Sequence, residues 1–189
     1  MIVYSSLNAS IGLTLVALKA GINPMSKSHV YLFLVVDSEQ KQRFDKTEEV
    51  NILKQLLLDN FSAPMVQELA QQINDESYVL YRPLEGLLVK LPWHKKRIVF
   101  IGDSVHATTP HLASGACIGI EDAIVLTEEL TATDNLETAL CAFEQRRWER
   151  CRMVVENSGR LGEIETEGGD KKEHATIMRE SMMALTKPF

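Results

Sequence analysis

Apolar and polar positions along the chain alternate between two periods. Val30 to Val36 is an unbroken run of β-branched, aromatic and aliphatic residues closed by Asp37, the pattern of a buried strand. Helical spacing takes over at Thr47-Glu48-Glu49-Val50 and holds to about Leu58. A second helix opens at Ser62-Ala63-Pro64, with proline just inside the start, and reaches about Ile73. Ser77 to Tyr81 and Leu87 to Lys90 predict short strands, and Arg97 to Ile101 a strand of a parallel sheet. Ser114 to Leu130 predicts one helix, and Leu136 to about Asn157 a longer one with Leu140, Phe143, Arg147, Cys151 and Val154 along one side. Gly159 to Asp170, rich in Gly and Glu, predicts a loop before a closing helix at His174 to Leu185. Near the start, Met1 to Tyr4 can begin a strand, and Ile11 to Leu18 fits strand or helix.

Composition narrows the class. Apolar residues make up 45% and charged residues 24%, as in a soluble globular chain, and the net charge of −6 with no basic stripe argues against a nucleic-acid partner. Ile11 to Leu18 is too short to span a membrane and has no basic flank for export. The three cysteines, Cys117, Cys141 and Cys151, show no paired spacing and read as reduced thiols in a cytoplasmic protein.

The chemistry concentrates in Arg97 to Ala123, RIVFIGDSVHATTPHLASGACIGIEDA. An apolar strand ends in Gly102-Asp103, a proline-broken loop follows, and small residues at Ser114-Gly115-Ala116 open a helix. Such a unit presents a carboxylate at the strand tip and unpaired backbone N–H groups at the positive end of a helix. It is suited to a polar cofactor. Glu121 and Asp122, in the early turns of that helix, read as structural first and functional second.

This block resembles the second flavin-binding motif of the FAD-dependent aromatic-ring hydroxylases, the p-hydroxybenzoate hydroxylase superfamily, and its Thr-Thr-Pro with Cys117 is similar to the urate-hydroxylase-like branch. The resemblance implies that Asp103 bonds a ribityl hydroxyl of FAD, while Gly102 lets the backbone approach the cofactor. It places Pro110 along the flavin ring beside the reaction, and the amides of Gly115, Ala116 and Cys117 toward the pyrimidine carbonyl. By offset, Tyr31 falls where the branch carries an active-site tyrosine, and Lys19 where it carries an arginine; lysine is not equivalent at a bidentate site. Phe143-Glu144-Gln145-Arg146-Arg147 is like a helical stretch of the same family. The implied fold is an α/β (α+β) mixture: a partial Rossmann-like FAD-binding fold with part of a β-sheet substrate domain and C-terminal helices. The expected divisions are residues 1–94 for the partial substrate domain, 95–132 for the FAD-binding portion and 133–189 for the helices. The implied activity is NAD(P)H-dependent hydroxylation of an aromatic or heteroaromatic small molecule, with FAD as cofactor.

No G-x-G-x-x-G occurs in these residues, although the family holds the FAD pyrophosphate with one. The sequence therefore reads as roughly the C-terminal half of such a protein, a truncated form binding FAD weakly or not at all by itself. A non-catalytic remnant, or a half needing a partner, is the alternative. An orphan strand at 98–101 would also favour self-association. Gly102-Asp103-Ser104 further resembles the first block of GDSL-type esterases, with Ser104 as nucleophile, but Asp170-x-x-x-His174 has the wrong spacing for the base. His106 and His111, split by Pro110, make a weak metal pair. Tyr31 also fits a core aromatic, Trp93 and Trp148 packing residues, and Met153, Met178, Met182 and Met183 a core stripe.

Overall fold

A computed structural model describes residues 15–38 and 44–189. The strand expected at Met1 to Tyr4 and the first part of Ile11 to Leu18 lie outside the described residues. The chain forms two compact units, Met1–Pro83 and Leu84–Phe189.

In the first unit, β1 (Leu15–Pro24) pairs antiparallel with β2 (Val30–Ser38), with Gly21 opposite Phe33 and Asn23 opposite Tyr31. The period of two sends Ala20, Ile22, Leu32, Leu34 and Val36 to one face. There they meet α1 (Lys46–Asn60) and α2 (Pro64–Gln72) through Leu56, Leu57, Phe61, Val66 and Ala70. The helix ends are satisfied by side chains. The Asp45 amide donates to Glu48 Oε2 (3.1 Å) at the start of α1. Gln67 Nε2 donates to the carbonyls of Leu58 (2.8 Å) and Phe61 (2.6 Å) at its end.

The second unit is built on one long helix. A hairpin of β3 (His94–Lys95) and β4 (Ile98–Val99) turns at Lys96, whose φ is +59°. It is followed by α3 (Asp103–His106), a 3-10 turn at Pro110–Leu112, α4 (Gly115–Ala132), α5 (Leu136–Glu167) and α6 (Lys171–Leu185). One core cluster gathers Trp93, Val105, Val125, Phe143 and Cys151, with Trp148 against it; another gathers Leu112, Ile118, Val154 and Leu161, with Met153 and Met178 against it. Among the described residues, no helix is long and apolar enough to cross a membrane.

Several expectations fail for identifiable reasons. The stretch 98–101 is not a parallel strand: only Ile98–Val99 is paired, antiparallel to its own hairpin partner, and the Phe100 amide donates to the Trp93 carbonyl (2.9 Å). Residues 77–81 and 87–90 are not strands either. Tyr78 is exposed, while the Leu87 and Val89 amides instead donate to the carbonyls of Ala107 and Val105 (2.8 Å each). The predicted loop at Gly159 to Asp170 is mostly helix, because α5 continues to Glu167 and ends at Gly168, whose φ is +70°. Burial of Leu161 and Ile164 outweighs the two glycines, each costing about 1 kcal/mol in a helix interior. Met182 and Met183 are exposed rather than core.

Candidate functional site: the Gly102 turn and the start of α4

Gly102, at the start of α3, has φ +60° and ψ −142°, a conformation that residues with a side chain rarely adopt. The turn also packs close to α4: a Cβ on Gly102 would lie 4.0 Å from the Gly119 Cα. Asp103, at the first position of α3, is exposed. Ahead of α4, the Ser114 hydroxyl donates to the Leu112 carbonyl (2.8 Å) rather than capping the helix. The amides of Gly115, Ala116 and Cys117 begin the helix, where no intrahelical acceptor exists for them. Ala116, Cys117 and Pro110 are exposed, and Gly115 is needed because a Cβ there would approach Thr108 Cγ2 to 2.9 Å.

One buried carboxylate fixes this arrangement. Asp122 Oδ2 accepts from the Gly102 amide (2.8 Å) and from His106 Nε2 (2.6 Å), and its Oδ1 accepts from Arg147 Nε (2.8 Å). Both Asp122 and Arg147 have side chains fully removed from solvent. Burial pushes the Asp122 carboxyl up, but the bonds from His106, the Gly102 amide and Arg147 outweigh it and hold the group below its ordinary range. Glu121 follows the same logic. Burial raises it, and the bonds and charges of Arg150 and Arg147 win, leaving it lowered. Arg150 grips Glu121 with Nε and Nη2 (2.7 Å each) and donates onward to the Ala184 and Leu185 carbonyls at the end of α6 (3.1 and 2.9 Å). The arginines of the Phe143–Arg147 stretch and its next turn therefore tie α4, α5 and α6 together.

The loop between turn and helix is clamped by α5. Ser158 Oγ donates to the Thr109 carbonyl (2.8 Å) and accepts from the Leu112 amide (3.1 Å), while the His111 ring fills the notch at Gly162, where a Cβ would come within 2.8 Å. Sequence reasoning missed Ser158 and Gly162 because it took this stretch for a loop. Their signal was the helical spacing of Val154, Ser158 and Leu161.

The sequence-predicted residues Gly102, Asp103, Pro110, Gly115, Ala116 and Cys117 all fall in this one segment of the second unit. Tyr31 belongs to the first unit, where it is 54% exposed, which removes the core reading. It lies with Lys19 on the sheet face opposite the helices, its ring centroid 6.0 Å from that of Phe33. His106 and His111 do not converge: His106 binds Asp122, whereas His111 Nδ1 meets Thr109 Oγ1 (3.0 Å). The Ser104 hydroxyl donates to the Ile101 carbonyl (2.6 Å), and His174 contacts Glu165, so no esterase dyad forms at Ser104.

This segment thus combines a solvent-facing carboxylate with a helix start that has no side-chain cap. The chain belongs to a family of FAD-binding domains, matched over residues 8–158. Several similar proteins carry the names of FAD-dependent monooxygenases. The YetM protein of Bacillus subtilis (strain 168), whose name describes an FAD-dependent monooxygenase, is 33% identical over 147 residues, 75% of this chain and 37% of that protein. Aurachin C monooxygenase/isomerase of Stigmatella aurantiaca is 24% identical over 89% of this chain and 42% of its own length. Among solved structures, Klebsiella pneumoniae HpxO complexed with FAD and uric acid shares the fold, with a TM-score of 0.68 and 22% identity over 89% of this chain and 43% of that one. The chain thus spans about two fifths of the length of these relatives.

Proposed function

We propose that this chain supplies the ring- and ribityl-binding part of the flavin site of an NAD(P)H-dependent monooxygenase that hydroxylates an aromatic or heteroaromatic ring. The observation that carries the reading is the exposed Asp103 on a turn that Asp122 anchors and that packs at Gly102 against Gly119 of α4, a helix whose start has no side-chain cap. Asp103 accepts a hydrogen bond from a ribityl hydroxyl, and Gly102 admits the cofactor at backbone distance. The amides of Gly115, Ala116 and Cys117 donate to the pyrimidine carbonyl oxygen. That oxygen gains negative charge on reduction, and preorganised dipoles stabilise it without reorganisation. Pro110 lies along the ring and keeps water from it. Tyr31, on the open face of the first unit's sheet, contacts the aromatic substrate. When bound, FAD would supply the redox chemistry of an NAD(P)H- and O2-dependent ring hydroxylation. The unpaired cysteines suit a cytoplasmic setting.

With no G-x-G-x-x-G in these residues, the pyrophosphate lacks that motif's hydrogen bonds, worth about 1.5–3 kcal/mol each where charge-assisted. These 189 residues by themselves are expected to bind flavin weakly and to take riboflavin nearly as well as FAD. The test is equilibrium dialysis of the purified 189-residue chain against each flavin. Similar weak affinities, reduced in Asp103→Ala, are expected. A sample that purifies yellow with stoichiometric FAD, or one whose weak binding ignores Asp103→Ala, refutes the reading.

A further inference from the structure

We propose that His94, Glu137 and Cys141 form a zinc site on the surface of the second unit, separate from the flavin segment. His94 lies on β3, and Glu137 and Cys141 are one helical turn apart on the same face of α5. An imidazole nitrogen, a carboxylate oxygen and a sulfur, one from each, all lie within 4.8 Å of one another, and His94 Nε2 is 3.3 Å from Glu137 Oε1. Tetrahedral zinc with ordinary bond lengths separates neighbouring ligand atoms by roughly 3.3–3.6 Å. The nitrogen and oxygen already stand at that spacing. Glu137, with its side chain 70% exposed, is free of packing that would prevent closure about an ion.

The outer shell is in place as well. His94 Nδ1 is 2.7 Å from Glu144 Oε1, and Glu144 is itself buried and held by the Trp93 amide at 2.6 Å. With Glu144 holding a proton at Nδ1, Nε2, on the Glu137 side of the ring, is the nitrogen that would give up its own proton to bind an ion. This is the carboxylate–histidine–metal arrangement that orients the ring and raises its basicity. The mixed N, O and S set selects zinc over magnesium or calcium, which take oxygen ligands. Exposure of Glu137 and partial exposure of Cys141 give the ion a path in and leave a fourth position for water. The ion would pin the β3–β4 hairpin to the first turns of α5.

A second cluster with the same ligand types makes the contrast. His106, Asp122 and Cys151 also lie within 4.8 Å of one another, but all three are buried. The Arg147 guanidinium already occupies Asp122 there and opposes a cation. Among the described residues, the His94 cluster alone combines ligand spacing, an orienting carboxylate and access.

Cobalt(II) titration of the 189-residue chain under a non-thiol reductant tests the site, with zinc as competitor and circular dichroism to verify folding of each variant. The expected result is thiolate-to-cobalt charge-transfer absorption saturating at one equivalent and abolished by zinc. Cys141→Ser removes the absorption and Cys117→Ser retains it. Glu137→Gln weakens cobalt affinity at least about tenfold, and Glu144→Gln by about 10–100-fold. Absence of the absorption, its survival in Cys141→Ser, or unchanged affinity in Glu137→Gln overturns the proposal.

Discussion

Replacing Asp122 by Asn tests the hub that holds the Gly102 turn. The substitution keeps the shape of the side chain and removes its charge, leaving the fully buried Arg147 short of its main counter-ion. The carboxylate now accepts from the Gly102 amide, His106 and Arg147, whereas an asparagine oxygen serves fewer of them and its NH2 faces a donor. Breaking one side of a buried ion pair costs about 3–5 kcal/mol. Glu121 Oε2, 2.9 Å from Arg147 Nη2, survives as a secondary partner, so the loss belongs at the lower end, about 3 kcal/mol. For a unit of about 100 residues that lowers Tm by roughly 12–24 °C, at about 4–8 °C per kcal/mol. The assay is thermal unfolding by circular dichroism, beside Glu128→Gln as control. Glu128 pairs with Arg146 at the surface, and its loss costs less than about 1 kcal/mol. Adding Arg147→Met to Asp122→Asn removes the stranded charge, so the double variant loses less than the two single losses added. A drop for Asp122→Asn no larger than that of Glu128→Gln refutes the hub.

Stability should also follow pH with a definite sign. Asp122 and Glu121 titrate lower in the folded state than in the unfolded chain, so their contribution is complete above about pH 4–5, where unfolded carboxyls have ionised. It disappears as pH falls through the depressed folded values, and the acid limb of a Tm-against-pH curve becomes shallower in Asp122→Asn. Thiol labelling should rank the cysteines: exposed Cys117 reacts first and Cys151 last, since burial pushes the Cys151 thiol up to about 12. Mass-spectrometric mapping that finds Cys151 labelled as fast as Cys117 contradicts the packing described. Gly102→Ala places a Cβ on a backbone at φ +60° and ψ −142° and should cost about 1–3 kcal/mol, read by urea unfolding.

Local features were legible in the sequence. Pro64 marked the start of α2, and the run of β-branched and aromatic residues at 30–36 marked β2. The candidate site was legible for the same reason, because Gly102, Asp103 and Gly115 to Cys117 sit within one short segment whose order carries the information. What was illegible depends on contacts distant in sequence. Nothing local says that Ser158 and Gly162 seat the Thr109–Leu112 loop, and Gly159 read as a stop in spite of the helical spacing of Val154, Ser158 and Leu161, although Gly168 is the residue that ends α5. The strand at 98–101 read as parallel from its apolar content alone. Its pairing was set by a turn at Lys96 in a conformation that lysine seldom adopts. The network joining Asp122 to Arg147 bridges α4 and α5, and the sequence showed only that Glu121 and Asp122 had a structural bias.

The most direct measurement is an amide NMR titration of the 15N-labelled chain with riboflavin, which carries the ring and ribityl chain without the pyrophosphate. Shift changes centred on Gly102, Asp103 and Gly115 to Cys117 are expected, and their collapse in Asp103→Ala with the rest of the spectrum intact. Perturbations scattered away from that segment, or undiminished when Asp103 is removed, would contradict the proposed flavin site.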